Sequence, residues 1–363
     1  MSSAVAVGEK HSDLFQPVKV GPCVLTNRIV MAPMTRNRAE GTVPSEMAVV
    51  HYAARSSAGL IVTEATQVSA RGQGSPDTPG IHSDEQAAAW RRVTDAVHGE
   101  GGRIFIQLSH AGRLSHSDFH GMPPAAPSAV APVGFIRTPR GVKQYETPWV
   151  PTTAEVPLLV EEFAAAARRA RVAGFDGVVI HGGNGFLVDQ FLQSGTNQRT
   201  DRYGGSVENR TRFALEVVEA VTGVFDRAVT GFTISPGGNH KGIRDDTPLE
   251  TFTHAARALD QQGLGILHVL EQPINDVSPT RLMRECFRGV LMSSEGYTRD
   301  SAEEALQAGL ADLIAFGRAF TANPDLVERL RSNARLALAD PKTFYSGGAA
   351  GYIDNLVAPG TSR

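Results

Sequence analysis

The chain has little cysteine and no long apolar run, and both absences exclude classes of protein. Its 363 residues include only two cysteines, Cys23 and Cys286, which lie far apart and outside any metal-ligand spacing. This usage predicts ordinary thiols in a reducing cytoplasm and no disulfide. No window approaches the roughly eighteen apolar residues that a membrane-spanning helix needs, and the first ten residues lack the pattern of an export signal. We therefore expect a cytoplasmic protein.

The chain also has no excess of charge. Lysine and arginine total 35 against 38 aspartates and glutamates, which gives a formal net charge of −3. Such a balance provides no basic field to collect nucleic acid or anionic lipid. We expect neither a nucleic-acid nor a membrane partner, but a monomer or homodimer that acts on a small molecule.

Short apolar runs alternate with longer amphipathic stretches, which is typical of strand–helix units around a parallel sheet. The eight candidate strands are residues 28–32, 60–64, 103–108, 177–181, 229–234, 265–270, 289–292 and 312–316. Helical patterns between them include residues 84–98, 160–172, 207–224, 251–262, 302–308 and 324–331. Eight units predict a single (β/α)₈ barrel domain over residues 1–363, with a doubly wound open sheet as the alternative. Residues 1–11 are expected to be disordered.

Irregular stretches interrupt this plan. Residues 12–27 are rich in turn formers and predict a small hairpin that closes the barrel floor. Residues 112–157 contain many prolines and follow the third strand, and residues 237–248 follow the fifth. Because loops after strands form the catalytic face of a barrel, both stretches are candidate lids.

The most informative run is residues 179–192, whose sequence is VIHGGNGFLVDQFL. His181 and Asn184 lie three residues apart on the turn after an apolar strand, so both side chains can bind one oxygen atom. Phe186 follows where a proton donor could have stood. The run predicts a carbonyl-binding pocket without an acid. The alternative is a buried histidine and asparagine that only satisfy loop backbone.

Further polar residues follow other strands. Gly317 and Arg318 lead into a helical pattern, which suits a phosphate group, although Arg318 could instead pair with a nearby carboxylate. His110, His116 and His120 allow a zinc site to be imagined, but they lie in a Pro- and Gly-rich loop with no acidic ligand at a convincing spacing. We expect no metal.

Several motifs together resemble the old yellow enzyme family of FMN-dependent ene reductases. They span about residues 14–354 and are RIVMAPMTR (28–36), AGLIVTEAT (58–66), FDGV (175–178), YGGSVENR (203–210), FGR (316–318), NPDL (323–326) and GY (351–352). The resemblance implies a (β/α)₈ barrel that binds FMN at the carboxyl ends of its strands. It also implies hydride transfer from a nicotinamide cofactor, through FMN, to an alkene activated by a carbonyl.

The resemblance assigns roles to particular residues. It implies that Thr35 and Gln107 hydrogen-bond the flavin ring and that Gly317 and Arg318 hold the phosphate. His181 and Asn184 would bind the substrate carbonyl, and Tyr352 would line the pocket. The implied cofactor-binding set as a whole is Thr35, Ala65, Gln107, Thr233, Glu295, Gly296, Gly317 and Arg318.

Four positions depart from the family pattern. Phe186 replaces the proton-donating tyrosine, a loss that commonly costs a factor of roughly 10² to 10⁴ in rate. Thr233 replaces an arginine beside flavin N1 and O2, so a neutral hydrogen bond of about 0.5–1.5 kcal/mol replaces a charged one of about 1.5–3 kcal/mol. Glu295 replaces a small residue near the phosphate, where a carboxylate about 4 Å away would cost about 4 kcal/mol unless the side chain turns into water. Ser109 replaces a bulky aromatic and should enlarge the substrate pocket.

These departures favour redox-neutral chemistry on a carbonyl-conjugated substrate, such as isomerisation, conjugate addition or cyclisation. His181 and Asn184 would polarise the carbonyl while Phe186 supplies an apolar wall. The alternative is an FMN-dependent ene reductase that uses NADH or NADPH. Thr233 and Glu295 predict weak FMN binding, and NAD(P)H is expected only where FMN binds. A binding protein without catalysis is a third hypothesis, which requires a pocket filled by side chains.

Overall fold

Eight parallel strands close into a barrel in the computed structural model, which describes residues 12–345 and 348–356. The strands are β1 (Ile29–Met31), β2 (Leu60–Gln67), β3 (Ile104–Ser109), β4 (Gly177–Gly182), β5 (Thr230–Ile234), β6 (Ile266–Leu270), β7 (Val290–Ser294) and β8 (Leu313–Phe316). Each pairs with the next along the chain and β8 pairs with β1, so the sheet is closed. The (β/α)₈ prediction is confirmed and the open sheet is wrong. The expectation for residues 1–11 falls outside the described residues.

Two strands extend two or more residues beyond their predicted ends. β2 continues to Gln67 because the pairing with β3 shifts register after Val62, and Ala65 then lies opposite Gln107. β7 continues to Ser294, which pairs with Leu270 of β6. Both extensions carry polar residues at the carboxyl ends of strands, where an apolar run no longer marks the strand.

Helices surround the barrel. They are α1 (Glu46–Ala53), α2 (Asp84–Gly99), α3 (Ser117–His120), α4 (Val156–Val172), α5 (Leu187–Leu192), α6 (Val207–Thr222), α7 (Pro248–Gln261), α8 (Pro279–Arg284), α9 (Arg299–Gln307), α10 (Arg318–Ala322) and α11 (Leu326–Arg331). α4 begins four residues earlier than its apolar period predicts, since Pro157 is compatible with the first helical turn. Within the described residues, no helix combines the length and apolarity that crossing a membrane requires.

The predicted floor hairpin is present. Its strands are Val18–Val20 and Cys23–Leu25, joined at Gly21 with φ +56°. A Cβ atom added to Gly21 would lie 2.8 Å from the Cβ of Ala228, just before β5 begins. The hairpin therefore packs against the amino-terminal ends of the barrel strands.

The excursion between β3 and α4 contains a second hairpin that the sequence analysis missed, with strands Phe135–Thr138 and Gly141–Gln144. The second strand is exposed at every position, so burial imposes no alternating pattern on its sequence. Buried Arg113 anchors the excursion, because its guanidinium donates to the carbonyl oxygens of Val130 and Lys241, each at 3.2 Å.

Candidate active site

Three neighbouring strands bring polar side chains to one level near their carboxyl ends. His181 of β4 lies opposite Thr233 of β5, and Thr233 lies opposite His268 of β6. All three are buried. Thr233 Oγ1 lies 3.1 Å from His268 Nδ1, and His268 Nε2 lies 2.9 Å from Ser294 Oγ on β7. A hydrogen-bonded chain therefore crosses β5, β6 and β7 beside His181.

His181 has unused hydrogen-bonding capacity. Neither ring nitrogen has a hydrogen-bond partner among the described residues, and Nδ1 is fully buried. The imidazole packs against the ring of Phe186, with 4.4 Å between centroids. Burial lowers the pKa of His181 to about 4. At neutral pH the imidazole is therefore uncharged and offers one N–H donor to a ligand.

Asn184 is held in a left-handed conformation with φ +53°. Its backbone N–H donates to Ser235 Oγ at 2.7 Å, and the N–H of Gly185 donates to Asp189 Oδ2 at 2.8 Å. Burial raises the pKa of Asp189 to about 7. The half-buried side chain of Asn184 has no partner among the described residues. The loop is thus fixed through its backbone while the Asn184 amide stays available.

Phe186 and Ser109 are two further predicted residues of the substrate site. Phe186 is half-buried and precedes α5, so its ring forms an apolar wall beside His181 and carries no exchangeable proton. Ser109 ends β3 and lies opposite Gln67 of β2. Ser109 is buried, and its effect on the size of the substrate pocket stays a prediction.

Gln107 gives the clearest sign of a missing ligand. Its Nε2 is buried and has no hydrogen-bond partner within the described part of the chain. An unpaired buried amide costs about 1–3 kcal/mol unless a ligand accepts its hydrogen bond. Gln107 lies opposite Ala65, which is half-buried like Thr35 after β1. The donor set here fits a polar ring such as that of a flavin.

Arg318 is the first residue of α10 and is exposed. It forms neither an ion pair nor a hydrogen bond through its guanidinium with any described residue, so the carboxylate pairing considered above is wrong. Gly317 precedes it, and a Cβ added there would make only ordinary contacts, the nearest with Met34 Sδ at 3.4 Å. At Gly296, with φ +77°, an added Cβ would meet nothing within 4 Å. Gly317 and Gly296 therefore leave space for a phosphate, and Arg318 provides a positive charge for it.

Glu295 turns away from this space. Its side chain is exposed and Oε1 accepts a hydrogen bond from Gln272 Nε2 at 3.2 Å. The backbone adopts φ +82°, which is uncommon for a residue other than glycine. The carboxylate is solvated, so the predicted penalty of about 4 kcal/mol against a phosphate does not apply in this conformation. Of the two orientations that the sequence left open for Glu295, the structure has the solvated one.

Tyr352 lies deep in a cluster of cationic side chains. Its ring stacks on His51 with 3.9 Å between centroids, and the guanidinium carbons of Arg38 and Arg36 lie 4.8 and 5.3 Å from its centroid. Arg36 also donates to the carbonyl oxygen of Gly351 at 2.6 Å. These contacts fix the carboxyl-terminal segment against the residues that follow β1. The pocket-lining role of Tyr352 stays a prediction.

Comparisons with known proteins agree with this fold. The model of the NADH:flavin oxidoreductase / NADH oxidase family matches residues 13–337. The chain is 41% identical to a probable flavin mononucleotide-dependent alkene reductase of Leishmania infantum (94% of this chain, 96% of the relative). It is 38% identical to 12-oxophytodienoate reductase 2 of Arabidopsis thaliana (98% of each). The old yellow enzyme homologue of Zymomonas mobilis superposes with a TM-score of 0.93 at 40% identity, over 95% of this chain and all of that one.

The chain belongs to the NADH:flavin oxidoreductase / NADH oxidase family. Its membership confirms the resemblance to old yellow enzymes. The comparisons match whole chains and do not identify the residues that bind cofactor or substrate. The role of each individual side chain therefore stays a prediction.

Residues that support the site of this family member escaped the sequence analysis. His268 contacts Thr233 and Ser235 contacts Asn184, while Ser294 contacts His268 and Asp189 accepts from the backbone of Gly185. None of the four was singled out in the sequence analysis. For His268 a signal was available: it is the one polar side chain in the apolar run 266–270, Ile-Leu-His-Val-Leu. A polar residue at the centre of a buried strand needs a partner, and here Thr233 provides it.

The protonation of His181 can be measured directly. In the unfolded chain a histidine has a pKa near 6.5, whereas burial lowers the pKa of His181 to about 4. The stability that this neutral imidazole contributes is therefore complete above about pH 6.5 and is lost as the pH falls toward 4. We expect the ring resonances of His181, assigned through a His181→Asn variant, to titrate near pH 4 in NMR spectra of the folded protein. A midpoint near 6.5 would contradict the buried, neutral donor.

Proposed function

We propose that this protein is an FMN-dependent ene reductase that reduces carbonyl-conjugated alkenes with NADH or NADPH. The observation that carries the proposal is the buried, unpaired amide of Gln107 beside half-buried Thr35 and Ala65. The outward turn of Glu295 and the unpaired guanidinium of Arg318 support it. One relative is by name a probable flavin mononucleotide-dependent alkene reductase and another a 12-oxophytodienoate reductase, and the family supports FMN.

The residues present fit FMN. Gln107 and Thr35 would hydrogen-bond its ring, Thr233 would lie near it, and Arg318 with the backbone at Gly317 and Gly296 would hold its phosphate. When bound, FMN supplies hydride transfer from a nicotinamide cofactor to an activated alkene. The protein's own contribution is to orient the substrate and to withdraw electrons from it.

His181 and Asn184 would perform that polarisation. The neutral imidazole and the free amide can both donate to one carbonyl oxygen, and as negative charge grows on that oxygen both hydrogen bonds strengthen. A well-placed donor of this kind contributes roughly 2.7–4 kcal/mol to the transition state. Because the surrounding backbone is fixed by Ser235 and Asp189, little reorganisation is needed when the substrate binds.

Proton delivery is the weak step. Phe186 forms the wall beside His181 and has no acidic proton. The alkene carbon that does not receive the hydride must therefore take its proton from water. The general-acid contribution of about 10²–10⁴ is therefore missing from the rate.

A redox-neutral reaction on the same substrate class is the second candidate. Two observations favour it: Phe186 cannot deliver a proton, and Thr233, hydrogen-bonded to His268, places no cation at the barrel rim. Polarisation by His181 and Asn184 would serve isomerisation, conjugate addition or cyclisation equally well. Such a reaction would proceed without a nicotinamide cofactor.

A spectrum and a turnover assay separate the two. We expect purified protein supplied with FMN to retain a flavin absorbance band after gel filtration. We expect NADPH or NADH to bleach it anaerobically, and an enone such as cyclohexenone to restore it. If colour is lost on gel filtration and a carbonyl-conjugated substrate is converted to an isomer without added cofactor, the redox-neutral reaction is correct and the reductase proposal is wrong.

Substitution of Arg318 tests the predicted phosphate site, and substitution of Glu295 serves as its control. We expect Arg318→Gln to weaken FMN binding by about 10- to 150-fold, the loss of one charge-assisted hydrogen bond of about 1.5–3 kcal/mol. Glu295→Gln should change FMN affinity less than threefold, because its carboxylate is solvated. Quenching of FMN fluorescence measures both. A larger effect for Glu295→Gln than for Arg318→Gln would contradict the assigned phosphate position.

The missing acid can be restored. We expect Phe186→Tyr to raise kcat for alkene reduction, up to the factor of about 10² to 10⁴ that a general acid supplies. The rate of anaerobic flavin reduction by NADPH, which needs no proton at that position, serves as the internal control and should stay within twofold. An unchanged kcat would show that proton delivery by residue 186 does not limit the reaction.

A further inference from the structure

Strand β2 contains a bulge beside the residues predicted to bind the cofactor. Val62 pairs with Phe105 of β3, and the next recorded pair is Ala65 with Gln107, so β2 advances three residues while β3 advances two. The extra residue falls in the interval that contains Glu64. Bulges of this kind change the direction of side chains and are over-represented next to active sites.

Threonine hydroxyls satisfy backbone groups at the bulge. Thr63 Oγ1 accepts a hydrogen bond from the backbone N–H of Gln107 and donates to the carbonyl oxygen of Glu64, both at 3.1 Å. Thr66 Oγ1 donates to the same carbonyl oxygen at 2.8 Å. All four residues are buried. Specific hydrogen bonds therefore hold the bulge, and one of them fixes the backbone of Gln107.

The Glu64 side chain joins β2 to two other elements. Its Oε2 accepts from the backbone N–H of Arg36 at 3.0 Å, directly after Thr35. Its Oε1 accepts from the hydroxyl of Tyr52 on α1 at 3.4 Å, and that hydroxyl accepts from the backbone N–H of Glu64 at 3.1 Å. Glu64 is only 4% exposed. One buried carboxyl group therefore fixes the loop that follows β1 relative to β2.

Arg36 continues this connection to the carboxyl-terminal segment. Its Nε donates to the carbonyl oxygen of Phe344 at 3.0 Å, and its Nη2 donates to that of Gly351 at 2.6 Å. The guanidinium carbon lies 5.3 Å from the centroid of the Tyr352 ring. Two hydrogen bonds, one at each end of Arg36, therefore link Glu64 to the segment that carries Tyr352.

We propose that Glu64 is a positioning residue of the candidate active site, which holds Thr35 and Tyr352 in place relative to Gln107. The inference rests on the proposed function in one respect, that these three residues bind the cofactor or line the pocket. Glu64 itself would touch neither cofactor nor substrate, because its oxygens bond to Arg36 and Tyr52. Without the carboxyl group the buried N–H of Arg36 loses its acceptor, and the loop must relax to find another.

Hydrogen exchange tests the positioning in the absence of FMN. We expect Glu64→Ala to speed amide exchange in peptides that cover residues 33–38 by about 5- to 150-fold, the effect of one buried N–H without its partner. Exchange over residues 348–356 should also become faster. Glu64→Gln keeps a carbonyl oxygen for the Arg36 N–H and should stay within about threefold of the wild type at both segments.

Asp176→Ala is the matched control. Asp176 Oδ2 accepts from the backbone N–H of Ile104 at 2.8 Å, so it makes the same kind of contact as Glu64 but at the amino-terminal end of β3. Its loss should lower the melting temperature without changing exchange at residues 33–38 or 348–356. If Glu64→Ala does not fold, Tyr52→Phe replaces it, because this variant removes only the hydroxyl that holds Glu64.

FMN affinity separates this inference from the proposed function. We expect Glu64→Ala to weaken FMN binding about tenfold, Glu64→Gln to restore it, and Asp176→Ala to leave it unchanged. If the wild type does not bind FMN but the exchange results hold, the proposed function is wrong and the positioning stands. If the wild type binds FMN and Glu64→Ala leaves either exchange or affinity unchanged, the inference is wrong. Equal effects of Asp176→Ala on both measurements would also overturn it.

Discussion

Closure of the eight-stranded sheet determines which side chains meet at the rim. Once β8 hydrogen-bonds to β1, the register of every strand is fixed relative to its neighbours, and a shift by one residue would turn each inward side chain outward. His181, Thr233 and His268 therefore share one level because their strands pair at those residues. Loops supply the other parts of the site. Each loop begins at a strand end, and the strand register fixes the position of that end along the barrel axis.

The two buried histidines at this rim are neutral. Burial lowers the pKa of His268 to about 3, with a smaller contribution from nearby His181, so both imidazoles are uncharged at neutral pH. The only described cation assigned to the site, Arg318, is exposed at the start of α10. In the proposed reaction, polarisation of a substrate carbonyl would therefore rest on hydrogen bonds rather than on a fixed charge. Hydrogen bonds of this kind gain strength from burial, which also makes their absence costly.

The sequence predicted the barrel well because its signals are local. All eight apolar runs became strands, and Gly317 and Arg318 lead into a helix as expected. What it missed depends on contacts between distant residues. The direction of the Glu295 side chain is decided by Gln272, and the partner of Thr233 is a histidine thirty-five positions away. The exposed hairpin was missed for the opposite reason, because a strand with no buried face leaves no period in the sequence.

The hydrogen-bonded chain beside His181 limits what Thr233 can offer a bound ligand. A hydroxyl has one proton to donate, and a neutral imidazole has one donor and one acceptor nitrogen. If His268 carries its proton on Nδ1, that nitrogen donates to Thr233, Ser294 donates to Nε2, and the Thr233 proton is free for a ligand. If the proton is on Nε2, Thr233 must donate to Nδ1 and can only accept. Thr233 therefore provides one neutral donor, worth about 0.5–1.5 kcal/mol, in one tautomer and none in the other. The orientation of Ser294, two strands away, selects between them.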